Sequence, residues 1–165
     1  KSEIIASLTI TAIIRTLIGL VPVSLFAIPL FGVSIYEIGF ILFVLLINLH
    51  IFGITLGIFV SSGLIRYGPS FENIAWATLF LLAPLGCIYY PIEILPDWLQ
   101  SVAKSLPLVY IFEEVRSILI YQTYSVINIF KATMITFLYF STAVFIFCIA
   151  FEKSREKGTL MNMGE

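Results

Sequence analysis

Four long stretches of the chain carry no charged side chain: residues 16–36, 38–65, 73–92 and 132–151. Each is close to or above the roughly 20 residues that a helix needs to cross a hydrocarbon core. A bilayer requires such runs, and in lipid the helix satisfies every backbone N–H and C=O within its own segment. Composition agrees: charged residues are 12% of the 165 and hydrophobic ones 60%, against about 25% charged in soluble domains. The fold class expected is all-α, a polytopic membrane helical bundle with four transmembrane helices at about 12–35, 38–65, 73–91 and 130–151.

Several function classes fall away on the same grounds. Nine Lys and Arg against ten Asp and Glu leave no basic excess to neutralise phosphates, so nucleic acid is not a partner. Cys87 and Cys148 sit inside apolar runs, outside any CxxC or Cys/His spacing, and read as small core hydrophobes. No GxxxxGK[ST] run is present to cradle nucleotide phosphates, and no HExxH or GxSxG occurs. Catalytic, cofactor-binding and metal residues are therefore none in this chain, which is not expected to be an enzyme.

Charges and prolines mark the connections. Arg15, costly at mid-bilayer, belongs near an interface, and Pro22 and Pro29 kink the first span. Tyr36-Glu37 makes a short turn, and residues 66–73, with Gly68-Pro69 between Arg66 and Glu72, make a loop. The stretch 91–124 holds six charges divided by Pro91, Pro96 and Pro107, and no piece of it can span alone. A charged tail, 152–165, closes the chain. With four spans, Lys1, Arg15, Arg66, Lys153, Arg155 and Lys157 share one side, and only Lys104, Arg116 and Lys131 the other. The positive-inside rule makes the first side cytoplasmic and places 91–124 outside.

Within that outer segment, Pro96-Asp97 is a helix start. Trp98, Leu99, Val102, Ala103 and Leu106 then recur at helical spacing. After the break at Pro107 a second apolar face follows, Ile111, Phe112, Val115, Ile118 and Leu119, with Glu113 and Arg116 three apart and able to pair. The pattern predicts two half-helices over about 95–122, either re-entrant or interfacial.

Those residues carry a resemblance. Tyr89-Tyr90-Pro91-Ile92-Glu93-Ile94-Leu95-Pro96-Asp97-Trp98-Leu99-Gln100, then Leu106-Pro107-Leu108-Val109-Tyr110, Glu113 and Arg116, resembles the signature of type-2 ABC transporter permeases between their fifth and sixth membrane helices. Val109 stands where Thr is common. The resemblance extends over the whole chain and implies a single transmembrane permease domain, 1–165, lacking the family's first two helices. The opening Lys1-Ser2-Glu3 fits an N-terminally trimmed piece of a longer polypeptide. It further implies an ABC exporter subunit in the cell (inner) membrane, multi-pass, with both ends of this segment cytoplasmic. The partners implied are membrane lipid, an ABC ATPase subunit carrying ATP and Mg, and a second permease copy in a homo- or heterodimer.

Three groups of residues follow as candidates. The outer motif is Pro91, Glu93, Pro96, Trp98, Pro107, Tyr110, Glu113 and Arg116; Glu113 and Arg116 either fix the two half-helices or gate substrate release, and Glu93 and Glu114 join them as charges to test. In the second span, Asn48 and His50 are polar at mid-bilayer, the histidine either bonded to a neighbouring helix or lining a substrate path. Gly53, Gly57 and Ser61 share one face and permit close helix approach, within the chain or to a dimer partner. Arg66 and Glu72 mark the loop left to meet the ATPase. The wording around residues 91–100 is nearer to drug- or lipid-type exporters than to polysaccharide exporters. A channel or secondary carrier without ATP, and a membrane anchor without transport, are the readings from other classes.

Overall fold

The computed structural model describes residues 10, 11, 14–19, 21, 22, 25, 26 and 40–156. The chain divides into two compact units, 1–40 and 41–165. In the first, the described residues are helical and exposed, Arg15 and Pro22 among them. The remainder of the span expected at 12–35 lies outside the described residues, as do the Tyr36-Glu37 turn and 157–165 of the tail.

From residue 40 onward the order is α1 (Phe40–Tyr67), α2 (Phe71–Leu85), a 3-10 turn (Ile92–Ile94), α3 (Asp97–Ala103), α4 (Pro107–Tyr121) and α5 (Val126–Glu156). All described regular elements are helical. Two are long and apolar enough to cross a membrane, α1 with 28 residues and α5 with 31. At 1.5 Å per residue they measure about 42 and 46 Å. The third expected span, 73–91, is not observed at that length: α2 has 15 residues and ends at Leu85. It measures about 22 Å, short of a 30 Å core. The helix carries Pro84 in its last turn, and Cys87 then adopts φ 53°, so the backbone leaves the helix there.

α1 and α5 meet along a seam with a seven-residue period. On α1 the buried side includes Leu45, Asn48, Phe52, Thr55 and Ser62; on α5 it is Ala132, Thr136, Ala143, Ala150 and Ser154. Leu45 clusters with Ala132, the ring of Phe52 meets that of Tyr139 edge-on at 6.0 Å, and Ser154 Oγ donates to the Ile65 carbonyl at 3.1 Å. The contacts advance together along both helices, which therefore run parallel. The seam is made through side chains, Leu45 and Ala132 sharing their cluster with Ile111 of α4. The polar members add little strain because Asn48, Thr55 and Ser62 each donate to a carbonyl four residues back in α1, at 3.0, 2.8 and 2.7 Å.

The loop expected at 66–73 shrinks to residues 68–70. Gly68, at φ 76°, donates its N–H to the Leu64 carbonyl at 2.8 Å and ends α1. Phe71 and Glu72 then donate to the Gly68 and Pro69 carbonyls, and α2 starts. Phe71 returns across the end of α1, its ring stacked on Tyr67 at 5.9 Å and pressed against Gly63. A Cβ on Gly63 would lie 2.1 Å from that ring, so the turn depends on glycine there. The helix likewise runs on into the charged tail, ending at Glu156 rather than at 151, because Glu152, Lys153 and Arg155 are exposed and Ser154 alone turns inward.

Candidate functional site

The segment between α2 and α4 is held by one arginine. Arg116, on the second turn from the end of α4, reaches back with both terminal nitrogens. Nη1 donates to Glu113 Oε1 at 2.7 Å, and Nη2 donates to the carbonyls of Cys87 and Tyr90 at 3.0 and 3.1 Å. Glu113 Oε1 also accepts the Ile92 N–H at 2.9 Å. The pair thus satisfies three backbone groups across residues 87–92, the Cys87 and Tyr90 carbonyls and the Ile92 N–H. Only a guanidinium fork presents donors in this geometry. Both side chains are about a quarter exposed, 23% for Arg116 and 27% for Glu113.

Under the ion pair lies a small core of Cys87, Ile92, Ala103 and Val109, with Tyr90 and Leu95 against it. Cys87 is fully buried, and its left-handed backbone costs about 1–3 kcal/mol, offset by its carbonyl bond to Arg116 and by the burial. Tyr90 Oη donates to the Pro84 carbonyl at 2.7 Å, closing the end of α2. Gln100 Nε2 donates to the Leu95 carbonyl at 2.8 Å, tying α3 to the turn before it.

A second carboxylate fastens α4 to α5. Glu114 is 2% exposed; its Oε1 accepts the Ser125 N–H and its Oε2 accepts Asn128 Nδ2 at 3.1 Å. A negative charge on the free N–H groups at the start of a 31-residue helix is favourably placed. Gln122, at φ 53°, ends α4 by donating its N–H to the Ile118 carbonyl, so four residues, 122–125, suffice to reverse the chain.

The sequence candidates distribute as follows. Pro91 precedes the 3-10 turn in extended backbone, Pro96 does the same for α3, and buried Pro107 is the first residue of α4. Tyr110 is half-buried with Lys131 Nζ 6.0 Å above its ring. Glu93 is exposed on the turn, and Trp98 is 71% exposed, as Tyr89 is at 82%. The apolar face expected on α3 is split: Ala103 is buried while Trp98 and Val102 point outward, since a seven-residue helix covers its neighbours with one narrow stripe.

On α1 the candidates do not converge. Asn48 is buried in the seam, whereas His50, two residues on, faces elsewhere, and among the described residues its Nε2 is enclosed without a hydrogen-bond partner. Gly53 and Gly57 are exposed, with nothing within 4 Å of a Cβ at either, so they are not the close helix contact within residues 41–156. Arg66 and Glu72 are exposed at the end of α1 and the start of α2, the guanidinium 5.4 Å from the Tyr67 ring. A cavity of about 320 Å³ opens beside them, between α1, Phe71 and the last third of α5.

Two fixtures escaped the sequence. Glu114 stood out as a charge, but nothing local pointed to Ser125 and Asn128 as its partners. The carbonyls of Cys87 and Tyr90 are backbone groups and leave no trace in residue type. The α1–α5 seam did leave one, in the seven-residue repeats Leu45, Phe52 and Asn48, Thr55, Ser62.

Comparison with known proteins gives one result. A family model described as ABC-2 type transporter matches residues 1–120, which takes in both units and runs through the Glu113–Arg116 pair. No curated protein matches the chain. No solved structure does either. With nearly three quarters of its residues covered, including the ion-paired segment, the chain belongs to the ABC-2 type transporter family and is a transmembrane permease.

Proposed function

We propose that the chain is the transmembrane subunit of an ATP-binding cassette exporter, lining the path for a drug-like, lipid or other amphiphilic substrate. ATP and Mg act on a separate subunit. The observation that carries this reading is the fixed outer segment. Arg116 and Glu113 lock residues 87–92 onto α4, Glu114 locks α4 onto α5, and α5 runs in parallel with α1. A push on one end of α1 or α5 is therefore carried to the outer segment as a rigid-body movement, which is what alternating access requires of a passive subunit.

The same geometry supports one orientation. Because α1 and α5 are parallel, Arg66, Lys153 and Arg155 lie at their common C-terminal ends. The positive-inside rule puts that end in the cytoplasm of the inner membrane. The turn 68–70, with Arg66 and Glu72, then faces the ATPase, and a second permease copy completes the path. Exposed apolar side chains such as Phe80, Phe130 and Phe137 suit an amphiphile moving along a lipid-accessible wall.

The test is purification of the tagged full-length permease from its native membrane. A P-loop ATPase should accompany it, with hydrolysis stimulated by amphiphilic dyes or short-chain lipids. Stimulation by polysaccharide instead would assign the cargo to that class. Absence of any ATPase would favour the carrier or channel reading.

A further inference from the structure

The cavity beside Arg66 is separate from the ion-paired segment, at the other end of α1 and α5. Its walls are Phe59 and Ser62 of α1, Phe71 at the start of α2, and Ile146, Ile149 and Ala150 of α5. At about 320 Å³ it is within the range of small-molecule sites and about twice a cavity that holds benzene. It is bounded on one side by the Phe71 ring seated on Gly63. Arg66 is the one charged residue in its lining, exposed at the rim, and among the described residues it makes no ion pair. An apolar slot with an unneutralised cation at its mouth is complementary to an acyl chain with an anionic head.

The geometry points to a resident phospholipid: one anionic lipid of the leaflet on the Arg66 side, its acyl chain in the cavity and its phosphate on the guanidinium. Arginine offers two parallel N–H donors to a phosphate, and the end of a membrane-crossing helix is where headgroups lie. The lipid would wedge α1, α2 and α5 together next to the turn 68–70. It is distinct from transported cargo and does not depend on the exporter reading.

The experiment uses the full-length permease in nanodiscs with phosphatidylglycerol or phosphatidylcholine carrying a diazirine on the acyl chain. Photolabelling should fall on peptides holding residues 59–71 and 146–150, and phosphatidylglycerol should label more than phosphatidylcholine. Arg66→Gln, an exposed change that leaves folding intact, should cut labelling by about tenfold, the loss of one charge-assisted contact. Lys153→Gln and Arg155→Gln, at the same end but outside the lining, should leave it unchanged. Equal labelling by the two lipids, or full labelling of Arg66→Gln, overturns the site. Label that is lost during ATP turnover identifies cargo and overturns residence.

Discussion

Replacing Arg116 by methionine tests how much the guanidinium contributes. The side chain keeps its stem and loses three hydrogen bonds, to Glu113 and to the Cys87 and Tyr90 carbonyls. Glu113 is left with the Ile92 N–H alone. Fully buried, each contact to a charged group would count for about 1.5–3 kcal/mol. Both partners are about a quarter exposed, 23% and 27%, so water takes up part of what is lost and the sum is discounted by about half. The expected cost is about 2–4 kcal/mol, less than the 3–5 typical of breaking a dry pair. Arg116→Lys should recover less than half of it, because one ammonium cannot serve the carboxylate and both carbonyls in this geometry. Unfolding in mixed micelles, followed by circular dichroism, measures both values. If Arg116→Met unfolds within about 0.5 kcal/mol of wild type, or Arg116→Lys restores full stability, the ion pair is not what holds residues 87–92.

The remaining predictions concern single contacts. Glu114→Ala should cost about 2–3 kcal/mol in the same assay, since it leaves the Ser125 N–H and Asn128 amide without their acceptor; no change would show that water caps α5 equally well. Gly63→Ala should cost about 1–3 kcal/mol and Phe71→Ala in the same molecule should relieve most of that clash, so additive losses would rule out the contact. Thr136→Val should be neutral or stabilising by up to about 1 kcal/mol, because its buried hydroxyl has no partner among the described residues; a loss above that would mean the hydroxyl is bonded. Gly53→Ala and Gly57→Ala should not lower the stability of the protomer, as both sites are open, and a drop in its melting midpoint would contradict that.

What the residues made legible was set by the range of the forces involved. Uncharged runs locate α1 and α5 because membrane crossing is a property of the segment itself. The prolines locate the starts of α3 and α4 for the same local reason, as Pro96 and Pro107 show. Glu113 and Arg116 lie three apart on one helix, so their pairing is a neighbour effect too. The end of α2 is another matter. The run is apolar up to Ile92, yet the helix stops at Leu85, because the carbonyls beyond it find better partners in Arg116, 29 and 26 residues away. Gly63 and Phe71 illustrate the same limit, as only the turn 68–70 brings them together. Gly53 and Gly57 show the converse: the pattern fits close packing, and the alanines of α5 meet a different face of α1.

Under the proposed function, this permease moves an amphiphile only when a separate subunit hydrolyses ATP. The direct measurement is flux of a fluorescent amphiphile in proteoliposomes containing the full-length permease and its ATPase. Two conditions are compared, ATP with Mg and no ion gradient, and a proton or sodium gradient with no nucleotide. Flux in the first and none in the second is the result expected. Flux that follows the ion gradient without nucleotide would make the permease a secondary carrier and overturn the proposed function.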